Sequence, residues 1–261
     1  MRVIGVTDYG QMSRKAASLL ASQVILKRGS VLGLATGSTP LGVYRCLTEW
    51  YRQGLIDFSG AFSVNLDEYC GLSPEHNQSY AYYMRENLFR HINIRPDHTH
   101  IPNGMAADPG EEGRRYDELI RSLGGVDIQL LGIGHTGHIG FNEPNTYFIA
   151  PTHRVALNPL TIEANARFFA SEGDVPRYAI TMGLGSIMAA KRILLVASGE
   201  DKAEILYRSF FGPITPQIPA SILQLHPNVT VVAERDALEA IRAKAPEMIE
   251  DGFPNEAAGL G

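Results

Sequence analysis

Short apolar runs alternate with longer amphipathic stretches along almost the whole chain. Arg2 to Val6, Val31 to Ala35, Phe62 to Leu66, Ile128 to Ile133, Tyr178 to Thr181, Ile193 to Ala197 and Val229 to Ala233 have the length and β-branched content of buried strands. Tyr9 to Lys27 is helical, with Met12, Ala16, Leu19, Leu20 and Val24 on one face. The spacing predicts further helices over Leu41 to Tyr51, Tyr80 to His91, Pro109 to Leu123, Lys202 to Phe210 and Asp236 to Lys244. Strand and helix in alternation predict parallel strands joined by crossover helices. The expected fold class is therefore α/β, one open, doubly wound, mostly parallel sheet with helices on both faces.

No Ser/Gly-rich linker divides the pattern and no internal repeat is visible, so residues 1–245 are expected to form a single domain. Residues 246–261, with Asp251-Gly252-Phe253-Pro254-Asn255, are expected to fray. The long stretch 151–182 between strands is where a mobile cover over a site is expected.

Composition narrows the classes. Of 261 residues, 44% are hydrophobic and 20% charged, a soluble globular balance rather than that of a disordered chain. The net charge of -5 offers no basic surplus for nucleic acid or an anionic membrane. The cysteines, Cys46 and Cys70, are too few for a disulfide scaffold and form no C-x-x-C pair. The start, Met1-Arg2-Val3-Ile4-Gly5-Val6, lacks the long apolar core of a signal peptide, and no apolar run approaches membrane-spanning length. The cytoplasm is the expected compartment.

In doubly wound sheets ligands bind beyond the carboxyl ends of the strands. Three strand ends here carry unusual residues. The first is Ala35-Thr36-Gly37-Ser38-Thr39-Pro40, between a strand and a helix. Small residues, hydroxyls and a helix N-terminus suit an anion such as a phosphate monoester. The same residues equally suit a plain turn with a Thr cap and Pro at the helix start. It is not a P-loop, since no Gly-Lys-Ser/Thr follows.

The second strand end is Asn65-Leu66-Asp67-Glu68-Tyr69. A carboxylate there can be partly desolvated and made more basic, although a turn or helix-capping acid is the commoner use.

The third is Gly132-Ile133-Gly134-His135-Thr136-Gly137-His138-Ile139-Gly140-Phe141-Asn142-Glu143-Pro144. His138 is a natural proton shuttle, and Glu143 could orient its ring. The segment matches G-x-G-x-x-G. Yet it lies mid-chain, and Gly140 and Pro144 interrupt the helix that a dinucleotide site needs. A metal site from His135, His138 and Glu143 lacks the H-E-x-x-H spacing and an obvious further ligand. His98 and His100 belong to a solvated strand start, and His76, His91, His153 and His226 are isolated and expected to be structural. Arg167, before Phe168-Phe169, and Lys202 are the basic residues that could hold an anion, where solvated surface charge is the commoner fate.

These segments together resemble the glucosamine-6-phosphate isomerase/deaminase family, which is related to the 6-phosphogluconolactonases. The resemblance rests on Leu34 to Pro40, Asn65 to Tyr69, Gly132 to Pro144, Ala164-Asn165-Ala166-Arg167-Phe168-Phe169 and Leu223-Gln224-Leu225-His226-Pro227, in the family's order and spacing. It covers about residues 1–240 and implies a Rossmann-like fold. It further implies that Asp67 removes the C2 proton of an opened amino-sugar phosphate. His138, helped by Glu143, would open the ring. Gly37, Ser38, Thr39, Arg167 and Lys202 would hold the 6-phosphate. The products would be fructose 6-phosphate and ammonia, with no metal or organic cofactor.

Two positions depart from the family pattern. Thr136 stands where the family usually has Asp or Asn; an acid would pair with His138 as an ion, whereas Thr can only hydrogen-bond. The stretch His153-Arg154-Val155-Ala156 lacks the Arg, Lys and Thr arrangement of members activated by N-acetylglucosamine 6-phosphate. No such activation is expected, and a monomer or small homo-oligomer is. The rivals are a galactosamine-6-phosphate deaminase, a 6-phosphogluconolactonase, and a non-catalytic sugar-phosphate sensor. Lactonases typically continue after Gly-His with Thr-Ala-Ser-Leu-Phe, unlike Ile139 to Pro144 here, and a sensor could have discarded Asp67, His138 and Glu143.

Overall fold

The computed structural model describes residues 1–158, 162, 169 and 175–251. Most strands form where the apolar runs lie: β1 (Arg2–Val6), β2 (Val31–Leu34), β3 (Phe62–Asn65), β6 (Ile128–Leu131), β9 (Ile193–Ala197) and β10 (Val229–Glu234). With edge strands β5 (Thr99–His100) and β11 (Ile249–Asp251) they make an eight-stranded sheet in the order β11-β1-β10-β9-β6-β2-β3-β5. Every pairing in it is parallel, for example Val31↔Phe62 and Leu130↔Leu194. The doubly wound expectation therefore holds.

Local chemistry starts the helices. Asp8 accepts from the Gln11 N–H at the head of α1 (Tyr9–Leu26), and Ser79 accepts from the Tyr82 N–H at the head of α3 (Tyr80–Asn87). Asp108 caps α4 (Pro109–Ser122), whose first residue is the proline that a helix start tolerates. On α1 the side chains of Met12, Ala16, Leu20 and Val24 are buried against the sheet, and Leu19 lies half-buried at the margin. Burial of each large side chain of this kind contributes about 1.5–3 kcal/mol.

Two expectations need correction. Tyr178 to Thr181 (β8) does not join the main sheet. It pairs antiparallel with β4 (Asp67–Tyr69) and β7 (His153–Ala156) in a separate three-stranded sheet. The chain leaves β3 at Leu66, whose N–H still reaches the Leu34 carbonyl while its own carbonyl already accepts from Met182. One extended segment thus serves two sheets, and which partner each residue meets is set by distant sequence. The tail expected to fray from residue 246 instead makes a short turn at Pro246–Met248, and Ile249–Asp251 pairs with Val3, Ile4 and Gly5. The unpaired edge of β1 supplies the partner. Residues 252–261 lie outside the described residues. Of the stretch 151–182, the flanks are the strands β7 and β8, and 159–161, 163–168 and 170–174 lie outside the described residues.

The strand order places the switch of winding between β2 and β6. From β2 the chain steps outward to β3 and β5; from β6 it steps the other way to β9 and β10. The crevice lies between the loops that follow β2 and β6. At the opposite, amino end of these strands Asp127 is buried and accepts from the Val31 N–H at 2.8 Å, from Lys27 Nζ at 2.6 Å and from Lys191 Nζ at 2.7 Å. Burial opposes its ionisation, but the two lysines and the N–H outweigh it and lower its pKa. That stabilisation is present above the ordinary carboxylate range and is lost as pH falls through it. Asp127→Ala strands the Val31 N–H in the interior, and we expect the unfolding free energy to fall by about 1–3 kcal/mol in urea titrations.

Candidate active site

The loop after β2 is held from outside by tyrosines. Tyr83 donates to the Gly37 carbonyl at 2.6 Å, Tyr9 to the carbonyls of Ser38 and Thr39 at 3.2 and 3.1 Å, and Tyr44 to that of Ala35. The N–H groups of Gly37, Ser38 and Thr39 meet no acceptor among the described residues. The helix that follows, α2 (Leu41–Arg52), has Pro40 at its cap position and no side-chain cap. Thr39 is therefore not the cap that the plain-turn reading required. Free N–H groups at the head of a helix make a ready anion cradle.

Lys202 stands at the end of β9, two strands from that loop, where it heads the helix Ala203–Phe211. Its ammonium is mostly buried and lies 3.1 Å from Asp201. Asp201 also takes His135 Nε2 at 2.6 Å, which ties the loop after β9 to the loop after β6. His135 is thereby drawn away from His138, and among the described residues no three His, Cys, Asp or Glu converge as a metal-holding group. Arg167 lies outside the described residues.

The loop after β6 brings an imidazole and a carboxylate together. His138 Nδ1 is 3.2 Å from Glu143 Oε2 and 2.9 Å from Thr136 Oγ1, and the Thr136 hydroxyl donates to the same Glu143 oxygen at 3.0 Å. With its proton given to Glu143, the hydroxyl can only accept from Nδ1, so Nδ1 carries a hydrogen and Nε2 is the free ring position. Thr136 thus joins the carboxylate and the ring. The ring packs against Gly134, where a Cβ would sit 2.0 Å from His138 Nε2. Only glycine admits the imidazole there.

Asp67 faces this loop from β4. Asp67 is 5% exposed, and its carboxyl has no hydrogen-bond partner among the described residues. Burial, with a smaller contribution from the neighbouring Glu68 charge, pushes its pKa up to about 8. A Cβ added to Gly140 would lie 3.4 Å from Asp67 Oδ2 and 2.9 Å from Thr181 Oγ1, so the backbone two residues after His138 runs against the carboxyl. Thr181, opposite Asp67 in the ladder, accepts from the Phe141 N–H at 3.0 Å and pins the loop. The capping role considered for Asp67 falls to Glu68, which accepts from the N–H groups of Tyr69, Tyr80 and Ala81 at 2.8, 2.9 and 2.9 Å. Below the pair, Tyr69, Tyr80, Phe141 and Phe169 form an aromatic layer, with the Tyr69 phenol pushed up to about 12 by burial.

The structure therefore brings together Asp67, Thr136, His138 and Glu143, and sets Gly37, Ser38, Thr39 and Lys202 along the same rim of the sheet. Sequence reasoning missed Tyr9, Tyr44, Tyr83 and Thr181, which hold the two loops. Their only signal was the density of tyrosine in Tyr80-Ala81-Tyr82-Tyr83.

Residues 9–232 match the family described as glucosamine-6-phosphate isomerases/6-phosphogluconolactonase. A glucosamine-6-phosphate deaminase of Lachnoclostridium phytofermentans is 60% identical over 89% of this chain and 98% of its own. One from Clostridioides difficile is 51% identical over 95% of this chain and 100% of its own. Among solved structures, a monomeric glucosamine-6-phosphate deaminase of the NagB superfamily superposes with a TM-score of 0.90 at 47% identity, over 92% of this chain and 100% of that one. A 6-phosphogluconolactonase from Trypanosoma cruzi shares the fold, with a TM-score of 0.71 at 18% identity over 94% of this chain and 96% of that one.

Gly134→Ala should force the His138 ring off the backbone and break its contacts to Thr136 and Glu143. We expect loss of the hydrogen-bonded His138 Nδ1–H resonance in proton NMR with the fold retained; an unmoved resonance would contradict the packing argument.

Proposed function

The chain belongs to the glucosamine-6-phosphate isomerase/6-phosphogluconolactonase family, and we propose that it converts glucosamine 6-phosphate and water to fructose 6-phosphate and ammonia. The observation that carries this reading is the buried carboxyl of Asp67 set against the loop of His138. The high identity to named deaminases over nearly their full length supports it.

In this reading the 6-phosphate sits on the N–H groups of Gly37, Ser38 and Thr39, with Lys202 and Arg167 supplying positive charge. A fixed phosphate places C1 and C2 of the sugar against the two proton-transfer groups. His138 Nε2 takes the proton from the C1 hydroxyl and returns it to the ring oxygen, which opens the pyranose. Glu143 and Thr136 hold the ring through Nδ1 and offset the charge it gains. Asp67 then removes the C2 proton of the open sugar and leaves an enolamine. Protonation at C1 gives an imine at C2, to which water adds as ammonia departs. A desolvated carboxylate with a pKa near 8 is a far stronger base than one in water, which is what a carbon acid demands.

The working unit is a monomer or a small homo-oligomer in the cytoplasm. Among the described residues no helix is long and apolar enough to cross a membrane. The segment expected to differ from effector-activated relatives is β7, where the Arg154 guanidinium lies 3.5 Å over the Tyr178 ring. It is engaged within the fold, and we read this as the absence of a site for N-acetylglucosamine 6-phosphate. Hyperbolic kinetics unaltered by that compound are expected, and sigmoidal kinetics relieved by it would reverse this part.

The test of the main reading follows ammonia and fructose 6-phosphate separately, and equal release of both is expected. Turnover of galactosamine 6-phosphate or of 6-phosphogluconolactone in its place would replace the assignment. Asp67→Asn should lower kcat by about 10²-fold or more while calorimetric binding persists.

The base must be ionised, so kcat/KM should rise with pH and level off above about 8. A profile already flat from pH 5 would remove Asp67 from that role.

A further inference from the structure

A groove of about 590 Å³ opens between α1, α2 and α3, lined by none of the residues of the site described above. Arg14, Arg45 and Arg52 stand on its walls with Trp50, Thr48 and Cys46, and Glu49, Glu86, Asn87 and His91 complete it. Its size falls in the range of small-molecule sites.

The charges in it are unevenly satisfied. Glu86 is paired with Arg90 and Arg85, and Glu49 accepts from Gln53 at 2.7 Å. Asn87 donates to the Tyr83 carbonyl, and His91 Nε2 faces the Glu86 carbonyl at 2.8 Å. By contrast, Arg14, Arg45 and Arg52 form no ion pair or hydrogen bond among the described residues. A single unpaired surface arginine is ordinary. Three around one concavity leave it positive in a chain whose net charge is -5.

The wall between the arginines is less polar. Thr48 is 6% exposed, lines the groove, and its hydroxyl has no hydrogen-bond partner. Beside it Trp50, the chain's single tryptophan, is half-buried and lines the groove.

We propose that this groove is a second ligand site, for a phosphate monoester that carries a ring. The phosphate lies among Arg14, Arg45 and Arg52, which suit its oxygens in two-point contact. The ring stacks on Trp50. A nucleoside monophosphate and a hexose phosphate both have this chemistry.

Trp50 is its own reporter. The intact protein is titrated with AMP, with glucose 6-phosphate and with inorganic phosphate while its tryptophan fluorescence is followed. The expected result is a saturable change with one or both ring phosphates, at a concentration at least about tenfold below that for inorganic phosphate. AMP alone acting would mean that a nucleobase fills the mouth, and glucose 6-phosphate alone that a sugar does. The double variant Arg14→Glu, Arg45→Glu should raise the half-saturation by about tenfold or more, with turnover of glucosamine 6-phosphate unchanged. Arg52→Ala, a milder change at the end of α2, should raise it in the same direction. The proposal is overturned by the lack of any saturable change, by equal half-saturation with inorganic phosphate, or by a response that survives these substitutions.

Discussion

A carboxyl group held in the interior without a hydrogen bond is the constraint around which this site is organised. Ionising it there is costly, and the cost sets the chemistry. From the ordinary carboxylate range up to about pH 8 the folded protein keeps a proton on Asp67 that the unfolded chain releases. Stability therefore declines as pH rises through that window. The protein tolerates this because the surroundings are over-determined. Asp67 sits in a ladder with Thr181, and the adjacent Glu68 is fastened by three N–H groups to the start of α3. Tyr69, two residues on in the same strand, packs with Tyr80 and Phe141 in an aromatic layer. Two neighbouring acids are thus held in opposite ways, Glu68 with three hydrogen bonds and Asp67 with none among the described residues.

The imidazole of His138 is organised by the opposite means. His138 is surrounded by partners on one side and left open on the other. Thr136 and Glu143 share its Nδ1, and Gly134 makes room for the ring. The threonine is informative because it bridges carboxylate and imidazole rather than replacing either. The oriented ring that an acid at this position would secure by charge is secured here by a hydroxyl relay, with Glu143 as the only carboxylate of the trio.

Both ends of the parallel sheet carry polar clusters, and their roles divide. At the amino end Asp127 locks Val31, Lys27 and Lys191, a closed network that joins α1, β2, β6 and β9. At the carboxyl end the loops after β2 and β6 leave N–H groups and a ring nitrogen open. The tyrosines that hold the first loop come from α1, α2 and α3, the helices that also wall the arginine-lined groove. The groove and the anion cradle therefore share a rigid support.

The alternation of strand and helix, the placement of most core strands to within two residues, and the candidate residues of the His138 loop were all legible in the chain. They were legible because period and turn chemistry are local: a buried strand announces itself in four or five residues, and glycine interleaved with His, Asn and Glu is uneconomical for a turn alone. The resemblance singled out Asp67, but which of Asp67 and Glu68 would be left without hydrogen bonds was not legible in the residues themselves, since both end the same apolar run. Which of them is tied down is decided by which faces the N–H groups of α3, some twelve residues on. The second sheet, the pairing of Asp67 with Thr181, and the tyrosines that grip the carbonyls of Gly37, Ser38 and Thr39 likewise depend on segments brought together from afar. Sequence determined which elements form and which chemistry is on offer. Tertiary structure decided which groups lose water and which keep their partners, because desolvation belongs to the packed surroundings and to no single stretch of chain.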